Sequence, residues 1–270
     1  MKQLSLREIQ LTELAMLEEF DRVAREHQLK YSLSAGTLLG AVRHQGFIPW
    51  DDDIDVMMPR PDYEKLVLLN RETRLWPEHL RLCCLEDRTL DSPYMKLFDT
   101  RTKVIEQNFR QRDVMSLWID IFPVDGLPGN ESQIRRHYDL ALTLCMLNVA
   151  SVVRDGYGSS RTAVILKTLF EKPLARIIGR TRISRLQKQL ALRYDYSHSK
   201  KCGMVTWAYD GPGQAMTRQE FETLVELPFE GHRFFATSAW DKNLSGIFGD
   251  YMQLPPEEKR ITHNLEAFFI

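Results

Sequence analysis

Positions 51–55 carry four aspartates, Asp51, Asp52, Asp53 and Asp55, interrupted only by Ile54. Neighbouring carboxylates repel one another, and aspartate is a poor strand residue. Yet Asp53-Ile54-Asp55-Val56 alternates with the period of two that a strand requires. Such a strand anchors Ile54 and Val56 in a core and sets Asp53 and Asp55 on the opposite face, with Asp51 in line if the strand extends back. That placement is costly without a compensating cation. Hard carboxylate oxygens on a rigid strand suit Mg²⁺ or Mn²⁺, with water and substrate phosphate filling the other positions.

Other readings of the segment are a solvated acidic turn after Pro49, an EF-hand loop, and the Asp-x-Asp pair through which many glycosyltransferases bind a nucleotide sugar. The EF-hand fails because Val56 stands where that loop needs glycine and Asp62 where it needs a bidentate glutamate. The glycosyltransferase reading stays open on these residues alone.

The surrounding pattern is that of an α+β chain. Ser5 and Glu8 have capping-box spacing, and Leu14, Leu17, Phe20, Val23 and Ala24 recur at helical spacing, predicting a helix to about residue 27. A short strand over 31–34 leads through Gly36 into a helical turn over 37–42. A loop holding Gly46 and Pro49 precedes the acidic strand at 53–58, and residues 62–70 read as helix. Further strands are predicted over 80–85, 94–99, 103–107 and 116–122, then turns at Asp125-Gly126 and Pro128-Gly129. Residues 134–153 and 163–194 read as helix with breaks at Gly156, Gly158 and Pro173, and the last seventy residues as mixed.

A strand ending in Gly36-Thr37 at a helix start offers backbone N–H groups, with the Thr37 and Ser34 hydroxyls, to a phosphate. Followed by an Asp-x-Asp strand, this is the layout of nucleotidyltransferase-fold enzymes. The run Gly36-Thr37-Leu38-Leu39-Gly40-Ala41-Val42-Arg43-His44, then Gly46-Phe47-Ile48-Pro49-Trp50-Asp51-Asp52-Asp53-Ile54-Asp55, resembles the hallmark of the LicD family. Met58-Pro59-Arg60 and Asp62-Tyr63 continue the likeness. So do Lys96 with Asp99 and Thr102, Trp118-Ile119-Asp120-Ile121-Phe122-Pro123 with Asp125-Gly126, and Gly249-Asp250-Tyr251-Met252 with Leu254-Pro255-Pro256.

The resemblance implies a nucleotidyltransferase-like core with a mixed sheet and helical additions. It implies one domain over 1–270, with a core to 130, a basic helical insert over 131–200 and a C-terminal part that completes it. The implied activity is bacterial: transfer of phosphocholine from CDP-choline to a hydroxyl of a teichoic-acid or lipopolysaccharide glycan, releasing CMP. CDP-ribitol and CDP-glycerol are the alternative donors, since fukutin-related ribitol-phosphate transferases share the motif. Asp53 and Asp55 become metal ligands for Mg²⁺ or Mn²⁺, assisted by Asp51. Asp120, flanked by apolar residues where a lone charge is expensive to bury, is the third carboxylate. Gly36, Thr37, Arg43, His44 and Lys96 are candidate substrate contacts, and Trp50, Trp207 and Tyr209 are available to cage a choline cation. His263 reads as a solvent-exposed residue of the tail.

Thirty-six Lys and Arg against thirty-seven Asp and Glu give a net charge of −1, which argues against a nucleic-acid partner. Cys83, Cys84, Cys145 and Cys202 form no metal-ligand spacing and fit a reduced, cytoplasmic setting. Twelve Lys or Arg against three acidic residues crowd 154–201, between Leu169, Phe170, Leu174, Ile177 and Ile178. A basic amphipathic segment of this kind predicts peripheral contact with the cytoplasmic face of the inner membrane, which suits a lipid-linked glycan acceptor. A solvated helix face is the other reading.

Overall fold

The computed structural model describes residues 1–106, 108–109, 115–154, 156, 164, 167–262 and 265–270. The chain starts with β1 (Lys2–Gln3), α1 (Leu6–Glu26), β2 (Ser32–Leu33) and α2 (Ala35–Arg43). It continues through β3 (Ile54–Pro59), α3 (Arg60–Glu72), β4 (Leu80–Cys83), β5 (Met95–Glu106), β6 (Met115–Leu127) and α4 (Glu131–Ala150). Then come α5 (Lys172–Ile178), α6 (Arg180–Ala191), β7 (Lys201–Gly203), β8 (Met216–Thr217) and α7 (Arg218–Glu222). The hairpin β9 (Leu224–Phe229) and β10 (His232–Thr237), α8 (Trp240–Phe248) and β11 (Leu265–Phe269) close the chain.

The local signals act as their chemistry requires. Ser5 accepts the Glu8 N–H while the Glu8 carboxylate reaches back to the Ser5 N–H, so α1 starts in a capping box. The acidic alternation forms β3, which pairs in parallel with β6 and antiparallel with β2. Among the described residues nine strands join one mixed sheet, ordered β1-β11-β5-β6-β3-β2, with β4 on β5 and β7 linking β6 to β8. The fold is α+β. One face of the central strands, carrying Ile54, Val56, Ile119, Ile121 and Leu97, packs under Leu17 and Phe20 of α1, Leu38 of α2 and Leu66 of α3. Met57 and Phe122 on the other face meet Cys202, Met204, Met216 and Phe221 from the C-terminal part. All four cysteines are buried and unbridged.

Three local expectations are corrected. The strands expected over 94–99 and 103–107 are one strand, β5, whose register shifts between Asp99 and Val104 (Gln107 lies outside the described residues). Thr102 sits in the shift, donating to the Asp99 carbonyl and accepting the Leu117 N–H, which bridges the irregularity and lets both halves pair. The turn expected at Asp125-Gly126 is the end of β6, held extended because these residues pair with Gly203 and Cys202 of β7. The helical segment breaks at Gly179, whose φ of 85° is open to glycine at no steric cost, whereas Pro173 sits in the first turn of α5, where its missing N–H costs nothing. Gly156 also has positive φ. Gly158, part of the helix expected over 163–194, and His263 lie outside the described residues.

Candidate active site

Period-two geometry on three neighbouring strands brings the charged candidates into one row. Asp55 of β3 stands opposite Asp120 of β6, and Asp120 stands opposite Lys96 of β5. The Lys96 Nζ lies 2.8 Å from Asp120 Oδ1 and donates to Oδ2 at 3.1 Å. Trp118, two residues along the same face, donates its indole N–H to that Oδ2 at 2.9 Å, and its ring carries the Lys96 ammonium 4.0 Å above it. Asp120 Oδ1 is buried and, although close to the ammonium, receives no aligned hydrogen bond. The lone charges that looked expensive in β5 and β6 therefore answer each other.

Among the described residues Asp55 has no such partner of its own. Burial pushes its carboxyl well above the usual carboxylate range, and the charges of Asp53, Asp120 and Asp51 push it the same way against the weaker pull of Lys96. Its backbone is fixed: the Asp55 N–H donates to Thr37 Oγ1 at 2.8 Å, and its carbonyl accepts the Ser34 N–H at 3.0 Å. Thr37 is buried at the start of α2. Gly36, one residue earlier, is there for close approach: a β-carbon on it would stand 2.7 Å from the Asp51 Oδ2. Gly40 is under a similar demand, because its β-carbon would meet the Gly46 carbonyl oxygen at 2.4 Å. The motif glycines thus let α2 lie directly on the acidic loop.

The expected substrate contacts divide between the two ends of α2. Gly36 and Thr37 adjoin Asp51 and Asp55. Arg43 and His44 lie seven residues along from Gly36 and Thr37, about 10 Å by helical rise. There Arg43 donates to the Tyr251 carbonyl at 2.7 Å and to His44 Nε2 at 3.0 Å. Burial and the neighbouring Arg260 lower the Arg43 pKa, and burial with Arg43 lowers that of His44. Arg260 in turn lies 5.4 Å over the Trp50 ring. Two guanidiniums held near each other by backbone carbonyls form a natural seat for an anion.

Among the aromatic candidates, Trp50 thus faces a cation already present, whereas Trp207 stands in a cluster beside the carboxylates. Its ring is 4.9 Å from Tyr209, 6.1 Å from Tyr94 and 6.0 Å from Phe122. Tyr94 is two residues from Lys96, whose ammonium is 5.8 Å from the Tyr94 ring. Burial, then the Asp120 charge, raises the Tyr94 pKa.

Sequence reasoning missed Glu13 and Arg260. Glu13 is 1 % exposed in α1, its Oε2 has no hydrogen-bond partner among the described residues, and burial with the charges of Asp53, Asp52, Asp51 and Asp55 pushes its carboxyl well up. Its neighbour Gln10, also buried, donates to the Asp51 carbonyl at 2.9 Å. Both occupy apolar-stripe positions of α1 beside Leu14 and Leu17, and a polar residue in that stripe was the available signal. Arg260 had none, because it arrives from the far end of the chain.

A divalent cation fits the donor set in one respect. Asp55 and Asp120 form a hard-oxygen pair whose mutual repulsion an ion would relieve, and Mg²⁺ is commonly held by one or two carboxylates plus substrate phosphate rather than by an all-protein cage. Among the described residues no three His, Cys, Asp or Glu side chains converge as such a cage would need.

Residues 28–137 match the family described as LicD/FKTN/FKRP, nucleotidyltransferase domain. The lipopolysaccharide cholinephosphotransferase LicD of Haemophilus influenzae is 32 % identical over an alignment that covers the whole of both chains. An uncharacterised protein of Rickettsia prowazekii is 43 % identical over 47 residues, 17 % of this chain and 18 % of its own. With a relative matching from end to end, and with Asp55, Asp120 and Lys96 of the motif blocks in register across three strands, the chain belongs to the LicD family.

Proposed function

We propose that the chain transfers phosphocholine from CDP-choline to a hydroxyl of a lipopolysaccharide or teichoic-acid precursor, releasing CMP, with Mg²⁺ or Mn²⁺ at the aspartates and the cytoplasm as its setting. The observation that carries the reading is the in-register row Asp55–Asp120–Lys96 ending at an aromatic cluster that includes Tyr94 and Trp207. The row presents carboxylate oxygens beside a cation, as a diphosphate ester requires. The aromatic faces suit a quaternary ammonium better than a polyol. Full-length likeness to a cholinephosphotransferase supports the same cargo.

In the proposed reaction the acceptor oxygen bonds to the phosphorus that carries choline, the bond from that phosphorus to the CMP oxygen breaks, and CMP leaves with its electron pair. A cation between Asp55 and Asp120, with Asp53 and Asp51 drawn in as further ligands on binding, would supply charge neutralisation on the phosphate oxygens. Asp120, whose Oδ1 lies 2.8 Å from the Lys96 ammonium, would face that cation or take the proton of the attacking hydroxyl. Lys96 holds Asp120 in place, and Thr37 holds Asp55. Gly36 and Thr37 at the start of α2 turn backbone N–H groups toward phosphate, and Arg43, His44 and Arg260 form the second anionic seat.

The test is CMP release from CDP-choline with a lipopolysaccharide or teichoic-acid extract and Mg²⁺ or Mn²⁺. Metal-dependent release with label in the glycan is expected. Turnover of CDP-ribitol or CDP-glycerol in place of CDP-choline would replace the cargo. Release of a nucleoside diphosphate from a nucleotide sugar would make the chain a glycosyltransferase, and binding without turnover of any donor would make it a binding domain.

A further inference from the structure

The helix α5 is turned the wrong way round for a helix whose surroundings are water. Its inward side buries Lys172, at 4 % exposure, and Ala175, at 1 %. The Lys172 ammonium is occupied there, donating to the Arg154 carbonyl at 2.9 Å. Its outward side carries Leu174 and Ile177, exposed by 46 % and 81 %, and the π-helical turn just before it, Lys167–Glu171, adds Leu169 and Phe170, exposed by 62 % and 65 %. An amphipathic helix of a soluble domain places its apolar stripe on the core. Exposed single apolar residues are ordinary, but four large ones within nine residues are not.

The stripe lies in a strongly basic field. Residues 167–193 hold eight Lys or Arg against one acidic residue, Glu171. Arg176, Arg182 and Arg185 are exposed. Charge decides between the possible occupants of this face. A second copy of the chain, meeting it in a two-fold arrangement, would set these arginines against their own counterparts. An anionic bilayer surface offers phosphates to the arginines and acyl chains to Phe170, Leu174 and Ile177, while no helix of the described residues is long and apolar enough to cross a membrane.

We infer that α5, with the π-helical turn before it and the start of α6, is a docking surface for an anionic lipid bilayer, Leu169, Phe170, Leu174 and Ile177 entering the headgroup region between flanking arginines. The surface adjoins the candidate active site. Thr181 and Ser184 of α6 donate to Asp91, and Lys188 pairs with Glu86, which ties α6 to the loop leading into Lys96. Arg180 lies near enough to Tyr94 for its charge to pull the phenol pKa down against the effect of burial. Docking here would hold the carboxylate row beside the bilayer, within reach of a lipid-linked acceptor; that consequence alone rests on the transferase reading.

The experiment is flotation of the full chain with phosphatidylcholine vesicles, with and without phosphatidylglycerol. Binding to the phosphatidylglycerol vesicles is expected, weakened by salt. It should fall about tenfold or more in Phe170→Ser/Ile177→Ser and in Arg176→Glu/Arg182→Glu. These side chains are exposed, so folding is spared, and Leu68→Ser on α3, exposed by 52 %, serves as the matched control and should bind normally. No binding, binding that ignores both double variants, or a dimer in sedimentation equilibrium that Ile177→Ser dissociates would overturn the inference. No donor or acceptor is present in the measurement, so its failure would leave the transferase reading standing, and the reverse holds as well.

Discussion

Asp55 and Asp120 stand side by side on adjacent parallel strands, in register, one unpaired in charge and the other held by Lys96. The asymmetry makes the two carboxylates respond differently to the same substitution. Asp55→Asn removes a half-buried charge that its carboxylate neighbours oppose, so in EDTA at pH 8 the variant should melt higher than wild type by several degrees. Its turnover should nevertheless fall by about a hundredfold or more, the usual scale for losing a group that stabilises the transition state. Asp120→Asn should lose turnover and melt lower, because it leaves the Lys96 ammonium buried without its partner. Thermal melts and CMP release on the same preparations check both; equal melting shifts for the two variants would refute the asymmetry.

Arg60 and Asp125, both in motif blocks, form a buried bidentate pair at 2.6 and 2.9 Å that ties the start of α3 to the end of β6. Their position assigns them to the scaffold. Arg60→Met should cost about 3–5 kcal/mol in urea unfolding by stranding Asp125, and Arg60→Met/Asp125→Leu should recover much of that loss. A double variant as unstable as the single would contradict the account.

Gly36→Ala tests the contact between α2 and the acidic loop. The added methyl would stand 2.7 Å from Asp51 Oδ2, at the end of a side chain that can swing away. Turnover should therefore drop while the melting temperature changes by only about 1–2 °C, since no backbone atom need move. A large loss of stability would show that Asp51 cannot yield.

Asp210 ends the short turn that carries Tyr209. Its Oδ2 is buried without a hydrogen-bond partner among the described residues, and burial pushes its carboxyl up to about 6. A carboxyl raised on folding contributes no penalty below its unfolded value near 4; as pH climbs from there through about 6, the unfolded state ionises first and stability is lost. Asp210→Asn should thus match wild type at pH 4 and exceed it at pH 8 by about 1–3 kcal/mol. A difference independent of pH would refute the origin of the effect.

The sequence by itself determined the elements whose signals are local. The α1 cap, the alternation of β3, the helical turn after Gly36 and the buried cysteines all follow from neighbouring residues. The motif run also marked Asp53, Asp55 and Asp120 before any contact was known. Pairing could not be read this way. That Asp120 meets Lys96 depends on the register of β5 against β6, and one residue of slip would have sent either side chain to the opposite face. That β6 stays extended through Pro123 and Gly126 depends on β7, some seventy-five residues later. Arg260 reaches Trp50, and β11 reaches β5, from the far end of the chain. The outward turn of α5 was hidden too: its composition fits either face inward, and packing against α4 selected the side with Lys172 and Ala175. Local periodicity fixes which residues share a face, whereas only the closed sheet and its packed helices decide what that face meets.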